Sequence, residues 1–203
     1  MRRPKPSPIA IFAISAIVLL LVLTLAWSTV SKWTSRPVAV LVALVLENTS
    51  GWVHSTREAP GVLEVESEFE VLIPGAGGHR AALVFEGNPA RYAYGLPIFL
   101  ALLLAARGPR RLPRAVIGAV LLLPAQAFSL CLSLLVELMS GAQGSLAILK
   151  VAPWQLELVA YGYQLGSLVL PTLTPVVLWL WLDRQFVAEV LVKGWTKRQA
   201  VVA

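Results

Sequence analysis

The chain has 203 residues, of which 57% are hydrophobic and only 14% charged, and its mean hydropathy is +0.74. A soluble domain of that length would have too little polar surface to cover its core, so the composition excludes an ordinary water-soluble protein and points to a membrane protein. The net charge of +6 is no nucleic-acid footprint, because the basic residues flank apolar runs instead of lining one soluble face.

The first element is the apolar run Ile9–Trp27, preceded by Arg2, Arg3 and Lys5. It is long enough to cross about 30 Å of hydrocarbon, which takes about 20 helical residues. It exceeds the ~7–15 residues of a signal-peptide apolar region, so it reads as an uncleaved signal anchor, with a cleaved signal as the alternative. Residues 28–91 then form the one sizeable extramembrane segment. Its first part, Pro37-Val-Ala-Val-Leu-Val-Ala-Leu-Val-Leu46, is about half a span in length and lies between Lys32, Trp33 and Arg36 on one side and Glu47, Asn48 and Trp52 on the other. An interfacial helix over 37–50 fits this pattern, and a re-entrant piece is the alternative.

The second part of the segment changes to period two. Glu64, Glu66, Glu68 and Glu70 alternate with Leu63, Val65, Phe69 and Val71, the pattern of a half-buried strand with an acidic outer face. Pro74-Gly-Ala-Gly-Gly78 supplies a turn and Ala81-Ala-Leu-Val-Phe85 a returning strand, giving a β-hairpin over 61–86. A lone two-stranded hairpin is marginal in water, so its apolar face is expected to rest on the 37–50 helix, the bilayer or another protein. Carboxylates at alternate strand positions stand about 7 Å apart, which suits a solvated face better than one bound ion. His54 and His79 have no Cys or His at ligand spacing, so no metal or cofactor is expected. Asn48-Thr-Ser50 matches the glycosylation acceptor pattern, which matters only in a eukaryotic secretory compartment.

Three further spans follow, at 92–106, 115–139 and 158–182, separated by a basic loop over 107–114 and a loop over 140–157, with a tail over 183–203. Arg107, Arg110, Arg111 and Arg114 crowd the first loop, and Arg184, Lys193, Lys197 and Arg198 fill the tail. With the basic amino end, these regions hold eleven basic residues against Asp183 and Glu189, whereas the rest of the chain holds six against nine acids. The positive-inside rule then puts both termini in the cytoplasm. The expected fold is a mainly α membrane protein of about four transmembrane helices, with a small extracytoplasmic interfacial helix and hairpin.

Polar residues recur at helical spacing inside the last two spans. Gln126, Ser129, Ser133 and Glu137 fall on one side of the third span, and Glu157, Ala160, Gln164, Ser167, Pro171 and Thr174 on one side of the fourth. Antiparallel neighbours would place Gln126, Glu137, Glu157, Tyr161 and Gln164 around one outward-facing polar pocket, although Glu137 and Glu157 also lie near enough to an interface to be hydrated. Helix packing and a partner- or ligand-binding groove both account for the stripes. Pro124, Pro171 and Pro175 each remove a helical hydrogen bond. Gly162 and Gly166 form a G-x-x-x-G spacing that permits close helix approach. Cys131, the single cysteine, has no histidine in any span to activate it and reads as an inert core thiol. No P-loop, Gly-x-Ser-x-Gly, His-Glu-x-x-His or dinucleotide fingerprint occurs.

The residues Pro153-Trp154-Gln155, Glu157-Leu158, Gly162-Tyr163-Gln164-Leu165-Gly166, Leu170-Pro171-Thr172-Leu173, Pro175-Val176, Leu178-Trp179 and the following Asp183-Arg184-Gln-Phe186 resemble the carboxyl-terminal signature of exosortase H-associated membrane proteins. Tyr94-Gly95-Leu96-Pro97 and Leu123-Pro124-Ala-Gln126 are similar to the same family. The resemblance implies a non-enzymatic accessory protein in the bacterial inner membrane, with the bilayer, an exosortase and its sorting-signal substrates as partners. Exosortases are multi-pass, transpeptidase-like enzymes whose proposed active site uses Cys, Arg and His. The present chain lacks that trio, so no catalytic residue carries over. The other readings are a membrane enzyme or lipid-binding protein using the pocket between the third and fourth spans, and a structural subunit of a larger export complex.

Overall fold

The computed structural model describes residues 7–72, 80–141 and 152–192. The 74–78 turn, His79, most of the 140–157 loop, the basic amino end and the basic residues of the tail beyond 192 lie outside the described residues. The fold is mostly helical with one three-stranded sheet. Among the described residues, three helices are long and apolar enough to cross a membrane: Pro8–Thr34, Arg111–Gly141 and Pro153–Leu182.

The chain divides into two compact units. The first comprises the described residues within 1–29, 94–122 and 172–203. Helix α1 (Pro8–Thr34) runs seven residues past the predicted span and has no buried residue. Helix α4 (Gly95–Ala105) is its opposite. No residue from Tyr94 to Ala106 is exposed, as expected of a helix that is apolar all round and enclosed by protein. Phe99, Leu103 and Ala106 form a core with Leu122 of α5 (Arg111–Gly141) and with Trp179, and Phe12 stacks on Trp179 at 5.4 Å. A Cβ on Gly118 of α5 would stand 2.0 Å from Cζ of Phe99, so only glycine admits the ring.

The second predicted span, 92–106, falls on an apolar stretch that is not among the helices of membrane length. It breaks at Tyr94 into α3 (Ala90–Ala93) and α4, and the stretch Ala90–Ala105 measures about 24 Å at 1.5 Å per residue. Asn88 and Pro89 start it, their carbonyls accepting from the N–H groups of Arg91, Tyr92 and Ala93.

The second unit comprises the described residues within 30–93 and 123–171. Helix α2 (Arg36–Thr49) covers the predicted 37–50 segment, with Pro37 in its first turn where no N–H is needed. One face buries Val38, Ala39, Val42, Ala43 and Leu46, while Val40, Leu44 and Val45 are exposed. The predicted hairpin is present as β2 (Val62–Leu72) and β3 (Arg80–Gly87), antiparallel, with Val65 opposite Phe85. Leu63, Val65 and Ser67 are buried and Glu68 and Glu70 exposed, which is the period-two pattern. A bulge interrupts the ladder between Glu66 and Glu70, and there the buried Ser67 hydroxyl donates to the Leu83 carbonyl at 2.9 Å.

A third strand, β1 (Val53–Ala59), pairs with β2 and was not expected. Its signal was the Pro60-Gly61 dipeptide: proline pre-sets φ, and Gly61 adopts φ 87°, the positive value a type II turn demands at that position. Three strands against a helix satisfy the stability requirement that two strands alone do not. The sheet rests on α2, which contacts β1 and β2. Trp52 packs against Phe85 at 6.0 Å, and Thr56 donates to Glu47. Of the three supports expected for the apolar face, the 37–50 helix is the one observed.

Candidate functional site

The last membrane-length helix consists of α6 (Pro153–Gln164), a π-helical turn (Leu165–Val169) and α7 (Leu170–Leu182). Pro153 occupies the first helical position, and Gln155 Oε1 accepts from the Ala152 N–H at 2.8 Å, closing the start. The π turn is defined by the bond from Leu170 N–H to Leu165 O, five residues back, next to Pro171, which has no N–H to give. Such a turn inserts one extra residue into the helix and rotates everything after it by about 100°.

That rotation breaks the polar stripe of the fourth span. Glu157, Ala160 and Gln164 are exposed, Ser167 and Thr174 are half-buried, and Pro171 is buried. A uniform 3.6-residue wheel put all six on one side. In the folded chain the carboxyl-terminal half of the stripe turns inward, while Glu157, Tyr161 (68% exposed) and Gln164 stay outward beside Leu158, Leu165 and Leu168.

The opposite side of α6 is taken. A Cβ on Gly166 would stand 3.2 Å from Cα of Ser129, and one on Gly162 would stand 3.2 Å from Leu132. The G-x-x-x-G spacing therefore serves a close approach to α5, as the small-residue rule expects. On α5, Gln126 and Ser129 are buried, Ser133 is half-buried and Glu137 is exposed. The Ser129 hydroxyl donates to Ala125 O at 2.9 Å, satisfying itself within its own helix and leaving a small flat spot for Gly166. Glu137 faces a like charge, Glu86 of β3.

Of the five residues expected around one outward-facing pocket, Gln126 is buried on α5, and Glu137, Glu157, Tyr161 and Gln164 are exposed. Sequence reasoning missed Tyr92 of α3. It is 2% exposed and lies beside Ser133 and Tyr163, but its hydroxyl makes no hydrogen bond of good geometry. The Asn88-Pro89 helix start was the available signal, although nothing in the sequence alone pairs Tyr92 with Ser133.

A second polar feature was also missed. Arg114 pairs with Asp183, whose side chain is 2% exposed. Arg107 and Arg110 adopt φ 52° and 53° in the turn before α5, left-handed conformations that cost non-glycine residues about 1–3 kcal/mol each. Gly108 gives the pair room: a Cβ there would stand 3.0 Å from Arg114 Nη1 and 3.1 Å from Asp183 Oδ1. Burial pushes the Asp183 carboxyl above its ordinary value, opposed by the Arg114 charge and by the Trp179 indole N–H nearby. Asp183 Oδ2 and Trp179 Nε1 nonetheless stay outside hydrogen-bonding geometry.

Among the described residues no group of three or more His, Cys, Asp or Glu side chains is placed to hold a metal ion. His54 is exposed on β1, and Cys131 is partly buried on α5.

Three apolar helices of membrane length, a small strand layer resting on an amphipathic helix, and polar residues left uncovered on α6 define a membrane protein. The chain belongs to the exosortase H-associated membrane protein family, whose model matches residues 6–186. No curated protein and no solved structure matches it.

Proposed function

We propose that this protein is a non-enzymatic accessory subunit of an exosortase-type sorting system, and that the exposed side of α6 binds the exosortase or the membrane helix of its substrate. The observation that carries the reading is the two-sidedness of α6. Its glycine side is occupied by α5, whereas Glu157, Tyr161 and Gln164 remain uncovered on a helix of membrane length. Polar groups facing lipid are costly, so such a side calls for a partner. The buried Gln126 and Ser129 and the half-buried Ser133 support that side from α5, and Ser167 and Thr174 continue it inward. The family name supplies the class of partner. The non-enzymatic reading rests on the lone Cys131, with no histidine in any predicted span.

The same reading takes the chain to be multi-pass in the bacterial inner membrane, with four crossings and both termini cytoplasmic. Trp154 and Trp181, both exposed, stand near the two ends of the last membrane-length helix, the positions tryptophans favour at the headgroup layers. The Ala90–Ala105 stretch is short for a lipid-exposed span, but a helix enclosed by protein need not match the hydrocarbon thickness. The exposed Val40, Leu44 and Val45 of α2 suit the interfacial position expected from the sequence.

The test is photocrosslinking from native membranes with a photoreactive residue at Gln164. Capture of an exosortase or of a protein carrying a sorting helix is expected, together with at least tenfold weaker co-purification after Gln164→Leu, in line with the ~1.4 kcal/mol scale of an interhelical polar contact. Capture of lipid alone, or unchanged co-purification, would overturn the proposal.

A further inference from the structure

Where α1 passes into α2, the chain meets the β1–β2 turn and leaves a groove of about 230 Å³, lined by Lys32, Trp33, Arg36, Glu58, Ala59 and Pro60. The volume is below the ~300–1,000 Å³ of a site for a drug-sized ligand, so it suits a headgroup fragment. Its walls are mostly apolar, with two cations and one carboxylate at the rim.

The Arg36 side chain is 60% exposed and its ion-pair partner among the described residues, Glu58, stands at 3.9 Å, which leaves most of its five N–H donors available. Lys32 makes no ion pair among the described residues. Its stem lies across the turn, because Gly61 has no side chain: a Cβ there would stand 3.2 Å from Lys32 Cγ. The φ of 87° at Gly61 also keeps other residues from that position, so the turn that links β1 to β2 leaves room for the Lys32 stem beside the groove.

The depth is that of lipid headgroups. Lys32 lies five residues beyond Trp27, the end of the apolar run, or about 7–8 Å along the helix axis, and each headgroup layer is about 5–8 Å thick. Trp33, 71% exposed, has the amphipathic ring that favours this layer. Lys32 and Arg36 against Glu58 leave one net positive charge, the complement of a single phosphodiester.

We infer that this groove binds the phosphate of an anionic phospholipid, with Lys32 and Arg36 on the phosphate oxygens and Trp33 at the glycerol level. The inference rests on the placement of α1 in the membrane and not on the proposed partner, so capture at Gln164 is expected to survive loss of the groove.

Full-length protein in mild detergent is titrated with dioleoylphosphatidylglycerol or dioleoylphosphatidylcholine and read by native mass spectrometry. Wild-type protein is expected to prefer phosphatidylglycerol, and Lys32→Ala/Arg36→Ala to lose about thirtyfold in its retention, from about one lipid-binding increment per basic residue. Arg57→Ala/Arg91→Ala, outside the groove, is expected to bind as wild type does. The charge-preserving Lys32→Arg is expected to retain binding, which guards against a folding defect in the double variant. Equal retention by the double variant, equal loss in the control pair, loss in Lys32→Arg at an unchanged melting temperature, or displacement of the lipid by millimolar inorganic phosphate would each overturn the inference, the last by making free phosphate the ligand.

Discussion

Helices α1 and α4 are both strongly apolar, and α1 up to Thr29 shares a compact unit with α4, yet α1 has no buried residue and the stretch from Tyr94 to Ala106 no exposed one. In water, apolarity alone would drive both inside. In a bilayer, lipid tails are as apolar as leucine, so helix association depends on close fit rather than on escape from solvent. The two sequences differ accordingly. Helix α1 presents Ile14, Ile17, Leu21 and Leu25 outward, whereas α4 buries Gly95, Pro97, Ala101 and Ala105 around one large ring, Phe99. Small residues let neighbours close in, and the ring fills the space left.

The largest effect expected from that difference is for Phe99→Ala compared with Leu25→Ala. Emptying the fully buried Phe99 site should cost about 3 kcal/mol, mostly through lost packing contacts. Leu25, 74% exposed, should tolerate truncation within about 0.5 kcal/mol. Denaturation in mixed micelles measures both, and equal losses would mean that α1 is held by packing as tightly as α4.

Gly118→Ala sharpens the comparison from the other side. Its Cβ would sit 2.0 Å from Phe99 Cζ, and overpacking of this kind costs about 1–3 kcal/mol. Gly51→Ala, whose Cβ meets nothing within 4 Å, serves as its control. A melting temperature unchanged by Gly118→Ala would mean that the core around Phe99 repacks freely.

The smallest effect concerns pH, at Asp183 just beyond the last membrane-length helix. Burial raises its carboxyl pKa in the folded protein, so folding favours the protonated form. The stability contributed by this group is present below the ordinary carboxylate pKa and is lost as pH rises through the raised folded value. The melting temperature of the wild type relative to Asp183→Asn should therefore fall as pH rises from the carboxylate range. A difference that grows with pH would mean that Arg114 outweighs burial.

Much of this arrangement was legible in the residues. The membrane-length runs, the alternating glutamates of β2 and the α2 segment follow from periodicity, because burial on one face repeats at the period of the backbone. The carboxyl-terminal residues carried the family likeness. Strand β1 was missed because Val53–Ala59 is mostly polar, with five of its seven residues outside the apolar class, and only Pro60-Gly61 marked its turn. Which way each polar residue of the fourth span faces was not legible from an ideal wheel. The π turn at Leu165–Val169 changes the later register, and α5 takes up the glycine side of α6, leaving Gln164 on the other.

The sequence by itself determined that this is a membrane protein, which parts of the chain hold its three membrane-length apolar helices, and that a strand layer follows the first of them. Those properties depend on composition and spacing along the chain. Tertiary structure alone decided which apolar helix is enclosed, which polar residues stay uncovered, and that Arg114 meets Asp183. The physical reason is that lipid and protein interiors are equally apolar, so hydropathy cannot tell them apart. Close approach at Gly118, Gly162 and Gly166, together with one extra residue in a helical turn, makes the distinction.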